Sequence, residues 1–190
     1  LLSVDDEVKR IVGLVRKHGD KRKTFFIFTS DNGLEMGAHR IRFKNFLYEE
    51  GERVPLIIRG PNVPENATRD QFVSNIDLAP TIVGITRAQP LRVMDGISLL
   101  PLIRDPMSSP NRDLLFESDI GAFGIRRGPW KYTAWDNGDE ELYNLDDDPY
   151  ELENLLYDRP GPAEPSPDNI ALADQLRARL DQLKGCAGVT

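Results

Sequence analysis

The chain has a single cysteine, Cys186, so it cannot close an internal disulfide, and cysteine usage leaves its redox compartment open. It has no excess of positive charge: 24 Lys and Arg stand against 31 Asp and Glu, a net charge of −7. A nucleic-acid partner would want a basic face, so that class is disfavoured. No apolar run is long enough to cross a bilayer. The first ten residues, LLSVDDEVKR, lack the basic and then apolar order of an export signal. There are no internal repeats. What remains is an ordinary soluble composition, 39% hydrophobic and 29% charged, in 190 residues, enough for one large or two small domains.

The most informative stretch runs from Thr24 to Pro55. Phe25, Phe26, Ile27 and Phe28 form a continuous apolar run, which predicts a strand buried on both faces of a parallel α/β sheet. Ligands of such sheets sit outside the carboxyl ends of the strands. Asp31 and Asn32 fall at that end and offer a carboxylate and an amide carbonyl, hard oxygen donors suited to Ca²⁺ or Mg²⁺. Taken alone, the pair reads equally as a strand-end turn closed by a side-chain hydrogen bond. His39, Arg40, Arg42 and Lys44 follow as a local basic patch, and Lys44 on its own reads as a surface lysine.

Around this stretch the periodicity predicts a helix over about 4–18, with Ser3 as its cap and Gly19 as its stop. His18, in its last turn, reads as a surface residue. A second apolar run covers 54–58, Phe72-Val73 reads as a short strand, and Asp77 as the cap of a helix with Pro80 in its first turn. Residues 87–112 are loop-like, with Pro90, Gly96, Pro101, Pro106 and Pro110, and mark a boundary between units. Short strands at 114–118, 123–126, 130–134 and 141–145 then alternate with turns at Gly128-Pro129 and Asn137-Gly138, which predicts a small antiparallel sheet. Trp130 and Trp135 read as packing residues of that sheet, and Asp146, Asp147 and Asp148 as a solvated turn. After a proline-rich connector at 158–168, Ile170, Leu172, Ala173, Leu176, Leu180 and Leu183 give a final helix an apolar stripe with which to cover the sheet.

Several phrases, in this order, resemble the type I sulfatase family of the alkaline-phosphatase-like superfamily. They are FTSDNG (28–33), GAHR (37–40) with Lys44 and YEEG (48–51), VPLIIRGP (54–61), SNIDLAPTI (74–82), DGISLLPLI (95–103), RRGPWKY (126–132) and ELYNLDDDPYELENL (141–155). The resemblance implies the C-terminal portion of a sulfatase: residues 1–110 as the end of its α/β domain, and residues 111–190 as a small α+β subdomain with an antiparallel sheet under a C-terminal helix. It implies hydrolysis of a sulfate ester, of a small molecule or a sulfated sugar, by a formylglycine nucleophile with Ca²⁺. On that reading Asp31 and Asn32 resemble calcium ligands, Lys44 the lysine that contacts sulfate, and His39 a histidine near the substrate.

The family's remaining parts, an Asp-Asp pair, the C/S-x-P-x-R motif and a further Lys and His, have no counterpart upstream of residue 31. The chain by itself is therefore expected to be silent, and the ending QLKGCAGVT hints at an exported parent. The spacing from His39 to Lys44 is about a residue short of the family pattern. Ser108-Ser109-Pro110-Asn111-Arg112 matches S-x-P-x-R, but it lies after the calcium strand rather than before it and reads as a turn. Two alternatives accompany the sulfatase reading: a phosphonate or phosphodiester hydrolase of the same superfamily, and a non-catalytic binding module.

Overall fold

The computed structural model describes residues 1–157 and 164–185, so Cys186 and part of the proline-rich connector lie outside the described residues. Helix α1 spans Leu2–Lys17 and buries none of its residues: Val4, Val8, Ile11 and Leu14 form an exposed apolar stripe. It starts before Ser3, with Leu1 at the cap and no side-chain capping bond, so Ser3 lies inside the first turn instead of capping it. At the other end the amide of Gly19 returns to the carbonyl of Arg16, and Gly19 takes φ 78°, where glycine is favoured.

Strand β1 (Phe26–Phe28) pairs with the later β4 (Ile57–Arg59), and Ile27 stands opposite Ile58. The pairing is antiparallel, and β1 has a ladder on one edge only among the described residues. Among the described residues the apolar run is half-buried, with Phe28 exposed, and not enclosed on both faces as its composition predicts. Between these strands come a two-residue hairpin, β2 (Glu35–Met36) with β3 (Arg42–Phe43), and one turn of helix, α2 (Glu49–Glu52).

Phe72 and Val73 are not a strand; Phe72 lies under the Arg126 guanidinium, 4.5 Å from carbon to ring centroid. Helix α3 (Leu78–Thr86) is led in by a 3₁₀ turn at Asn75–Asp77. Asp77 stands at the N-cap position of α3, but its side chain makes no capping bond to that helix. Its carboxylate takes the amide of Ser74 in a reciprocal capping box, the amide of Ile97 and the guanidinium of Arg112. Helix α4 (Leu100–Arg104), carrying Pro101 in its first turn, sits inside the stretch expected to be loop. Arg69 holds its last carbonyls, those of Leu102 and Ile103.

The remaining strands form one antiparallel sheet, β5 (Leu114–Ser118), β6 (Ala122–Arg127), β7 (Trp130–Trp135) and β8 (Glu140–Asn144), in sequence order. Helix α5 (Pro167–Lys184) begins two residues before its apolar stripe suggests. Ser166 accepts the amide of Asn169, and Pro167 fills the first helical position, where its missing N–H costs nothing. Ala173, Leu176 and Leu180 of α5 close over Ile125, Tyr132 and Leu142 of the sheet, all six fully buried or nearly so. Burying a leucine or isoleucine side chain contributes about 1.5–3 kcal/mol, so this cluster dominates the stability of residues 114–184.

Candidate active site

Beyond β1 the chain turns sharply, because Ser30, Asp31 and Asn32 satisfy their own backbone. The Ser30 hydroxyl donates to the carbonyl of Asn32 at 2.9 Å, and the Asn32 amide donates to Asp31 Oδ1 at 3.0 Å. Hydrogen bonds from the amides of Asn32 and Asp31, then from Ser30, hold the exposed Asp31 carboxyl below its ordinary range, with a smaller contribution from Lys44. Asp31 is thus an anion at neutral pH. Asn32 points its Nδ2 at the carbonyl of Gly33 (2.6 Å) and its Oδ1 toward Lys44 Nζ, 3.4 Å away. A carboxylate, an amide oxygen and an ammonium group therefore converge at the end of β1.

His39 makes its contacts elsewhere. It sits at φ 51°, followed by Arg40 at φ 61°, in the left-handed region that non-glycine residues rarely adopt. Its ring stacks on Tyr48, centroids 3.7 Å apart and planes 6° from parallel, and its Nε2 lies 3.9 Å from Glu50 Oε2. Phe43 (φ 124°) and Asn45 (φ 84°) are two further isolated positive-φ residues between there and α2.

Helix α2 connects the site to the small sheet. On one side the amide of Gly33 donates to the carbonyl of Gly51 at 2.7 Å. A Cβ on Gly33 would stand 1.9 Å from the carbonyl oxygen of Glu50, and one on Gly51 would stand 2.8 Å from that of Phe46. Only two glycines allow this approach. On the other side the amide of Glu49 donates to Glu151 Oε2 (2.6 Å), and the Glu49 carboxylate receives Arg126 (3.2 Å) and Lys131 (3.5 Å). Lys131 is fully buried and also pairs with Glu151 at 2.9 Å. Burial pushes Glu151 above the ordinary carboxylate range, and Lys131 only partly offsets this. Burial likewise raises Glu52. Glu35 lies beneath α2, fully buried, and both its carboxylate oxygens lack a hydrogen-bond partner among the described residues.

Sequence reasoning alone missed this buried group of Glu35, Glu49, Glu151 and Lys131. YEEG and RRGPWKY carry their charges in runs that look solvent-facing. Trp130 and Trp135 do pack, the first against the sheet core and the second 6.0 Å from the Phe46 ring. The Asp146–Asp148 turn is closed by Asn144, which donates to Asp147. In the S-x-P-x-R string, Arg112 is committed to the buried Asp77.

As a cation site, the end of β1 fits in kind but not in number. Asp31 and Asn32 supply hard oxygens, yet Ca²⁺ takes six to eight of them. Among the described residues no group of three or more His, Cys, Asp or Glu could hold a metal ion.

The geometry brings a carboxylate, an amide oxygen and an ammonium group together at a strand end, and comparison with known proteins gives the class. The family model described as Sulfatase matches residues 1–88. N-acetylglucosamine-6-sulfatase of Capra hircus is 41% identical over 110 residues, 55% of this chain and 19% of that protein. A structure solved with its substrate D-glucosamine-2-N,6-O-disulfate superposes with a TM-score of 0.82 at 25% identity, over 96% of this chain and 38% of that one. The phosphonate monoester hydrolase of Agrobacterium radiobacter superposes with a TM-score of 0.76 at 26% identity, over 95% of this chain and 39% of that one. The chain belongs to the sulfatase family, with the alkaline-phosphatase-like fold, and corresponds to its C-terminal portion. It spans less than half the length of each of these three relatives.

Proposed function

We propose that this chain supplies one side of the active site of a sulfatase that hydrolyses a sulfate ester on an amino sugar. Residues 1–110 would complete the α/β catalytic domain, and residues 111–190 would form the small α+β subdomain that braces it. The observation that carries the reading is the convergence of Asp31, Asn32 and Lys44 at the end of β1. Lys44 is the group that meets a sulfate oxygen, its ammonium already oriented by Asn32 Oδ1. Asp31 and Asn32 are two ligands of a Ca²⁺ whose other ligands come from outside this chain. When bound, the cation supplies electrostatic stabilisation of the transferring anion. On this reading His39, half-enclosed beside Tyr48, is the histidine near the substrate. The nucleophile, a formylglycine, lies outside this chain.

The test is a comparison of ester classes on the complete enzyme. Glucosamine 6-sulfate should be turned over in preference to a phosphonate monoester. Lys44→Ala should lower kcat by about 10²–10³, the magnitude of losing one transition-state donor. The 190-residue chain alone should not turn over p-nitrophenyl sulfate. A preference for the phosphonate would support the second reading, a phosphonate monoester hydrolase, the kind of enzyme that one structural match over 95% of this chain is.

A further inference from the structure

A histidine that moves protons needs its ring plane fixed, and that is commonly done by a hydrogen bond to one of its nitrogens. His39 Nε2 is buried and has no hydrogen-bond partner among the described residues, and Glu50 at 3.9 Å is too far to serve. The imidazole plane is set instead by the Tyr48 ring, parallel to it at 3.7 Å.

That ring is itself held at both ends. Its hydroxyl donates to Glu141 Oε1 at 3.0 Å, from β8 of the small sheet. Tyr143, also on β8, meets the Tyr48 ring edge-on, 6.4 Å between centroids. At its backbone Tyr48 precedes α2, where the Glu49 amide is tied to Glu151 and through it to Lys131. Burial first, and the Glu141 charge second, push the Tyr48 hydroxyl up, so it keeps the proton it donates throughout the neutral range. The left-handed pair His39 and Arg40 needs such external support, because backbone in that region persists only where its surroundings determine it.

We infer that Tyr48 is a positioning residue for His39, anchored by Glu141, and that through this pair the small C-terminal sheet sets the imidazole plane in the active site. The inference rests on the reading of His39 given above for its catalytic consequence, though not for its geometry.

The sequence contains two histidines, so ring-proton NMR of the chain separates His39 from the exposed His18 with one control variant, His18→Gln. The His39 ring protons should be displaced upfield by the Tyr48 ring. In Tyr48→Leu they should return to the position of an exposed histidine while His18 stays put. Tyr48→Phe, which keeps the ring and loses the anchor, should give a partial return, and it decides the matter if Tyr48→Leu fails to fold. Glu141→Gln keeps an acceptor and should leave the His39 signals in place. Unmoved His39 signals in both Tyr48 variants would overturn the inference.

In the complete enzyme Tyr48→Leu should lower kcat by up to about 10²-fold, the scale of a 1 Å misplacement, with KM held and with partial recovery in Tyr48→Phe. If the signals move while His39→Ala leaves kcat intact, the positioning stands and the catalytic reading of His39 falls.

Discussion

Lys131 is the residue on which the centre of the molecule turns. A fully buried ammonium has no place in a fold unless carboxylates meet it, and here Glu49 and Glu151 do. Removing the cation and leaving the anions is the costly change. Lys131→Met should destabilise the chain by about 3–5 kcal/mol, read from urea denaturation. Adding Glu151→Gln should restore part of that, because the amide oxygen can still accept the Glu49 N–H. A double variant no more stable than the single one would contradict this. None of the pairing is visible in the sequence, where Lys131 lies among aromatic residues of an alternating strand and Glu151 follows a charged turn. That Asp31, Asn32 and Lys44 lie together at a strand end was legible, because they occupy a strand end and a loop inside recognisable phrases. Glu35, Tyr48 and Glu151 were not, since their importance comes from partners brought together by the fold: Tyr48 and Glu141 are joined by one hydrogen bond across 93 residues.

Among the elements, the small sheet and α5 were the most readable part of the chain. The period-two strands and the period-3.6 stripe each face one surface, and both surfaces lie within residues 114–184. Nothing outside that segment is needed to bury them. Leu176 is central to the contact, and Leu176→Ala should cost about 2–5 kcal/mol and lower the thermal midpoint without altering the loop that carries Lys44. Chemical shifts of residues 30–45 that stay fixed in the variant would bear out that independence. β1 was harder to read. Its apolar run gives the strand but not its neighbours, and an antiparallel return from β4 is as compatible with four apolar residues as a parallel sheet is. Helix α4 escaped because Pro101 reads as a breaker in a proline-rich loop, whereas in the first turn of a helix proline is tolerated.

At the scale of the whole molecule, the buried carboxylates give stability a pH dependence of definite sign. Burial raises Glu52, Glu141 and Glu151. The folded state binds these protons more tightly than the unfolded chain, so their contribution is full below about pH 4.3 and is lost as pH rises through the raised values. Asp113, held low by Arg127 and then Arg179, and Asp31, held low by backbone amides, act the other way. Their contribution is present above about pH 3.9 and is lost below it. The two together predict a urea midpoint that is higher near pH 5 than near pH 8 and falls again in stronger acid. Glu141→Gln should flatten the alkaline side of that curve, and a midpoint that climbs steadily from pH 5 to 8 would contradict the assignment.

The facing glycines at 33 and 51 have one more consequence, for descent. Gly33 is closed to a side chain by main-chain atoms alone, and Gly51 by the Glu35 carboxylate together with the main-chain oxygen of Phe46, so shrinking a neighbouring side chain leaves a backbone clash at both. A lineage that keeps this fold has to keep both together, even as the residues that choose the substrate drift. The pair is therefore a better thread for tracing distant copies of the scaffold than the exposed charged residues at the end of β1, which no main-chain contact obliges a copy to keep.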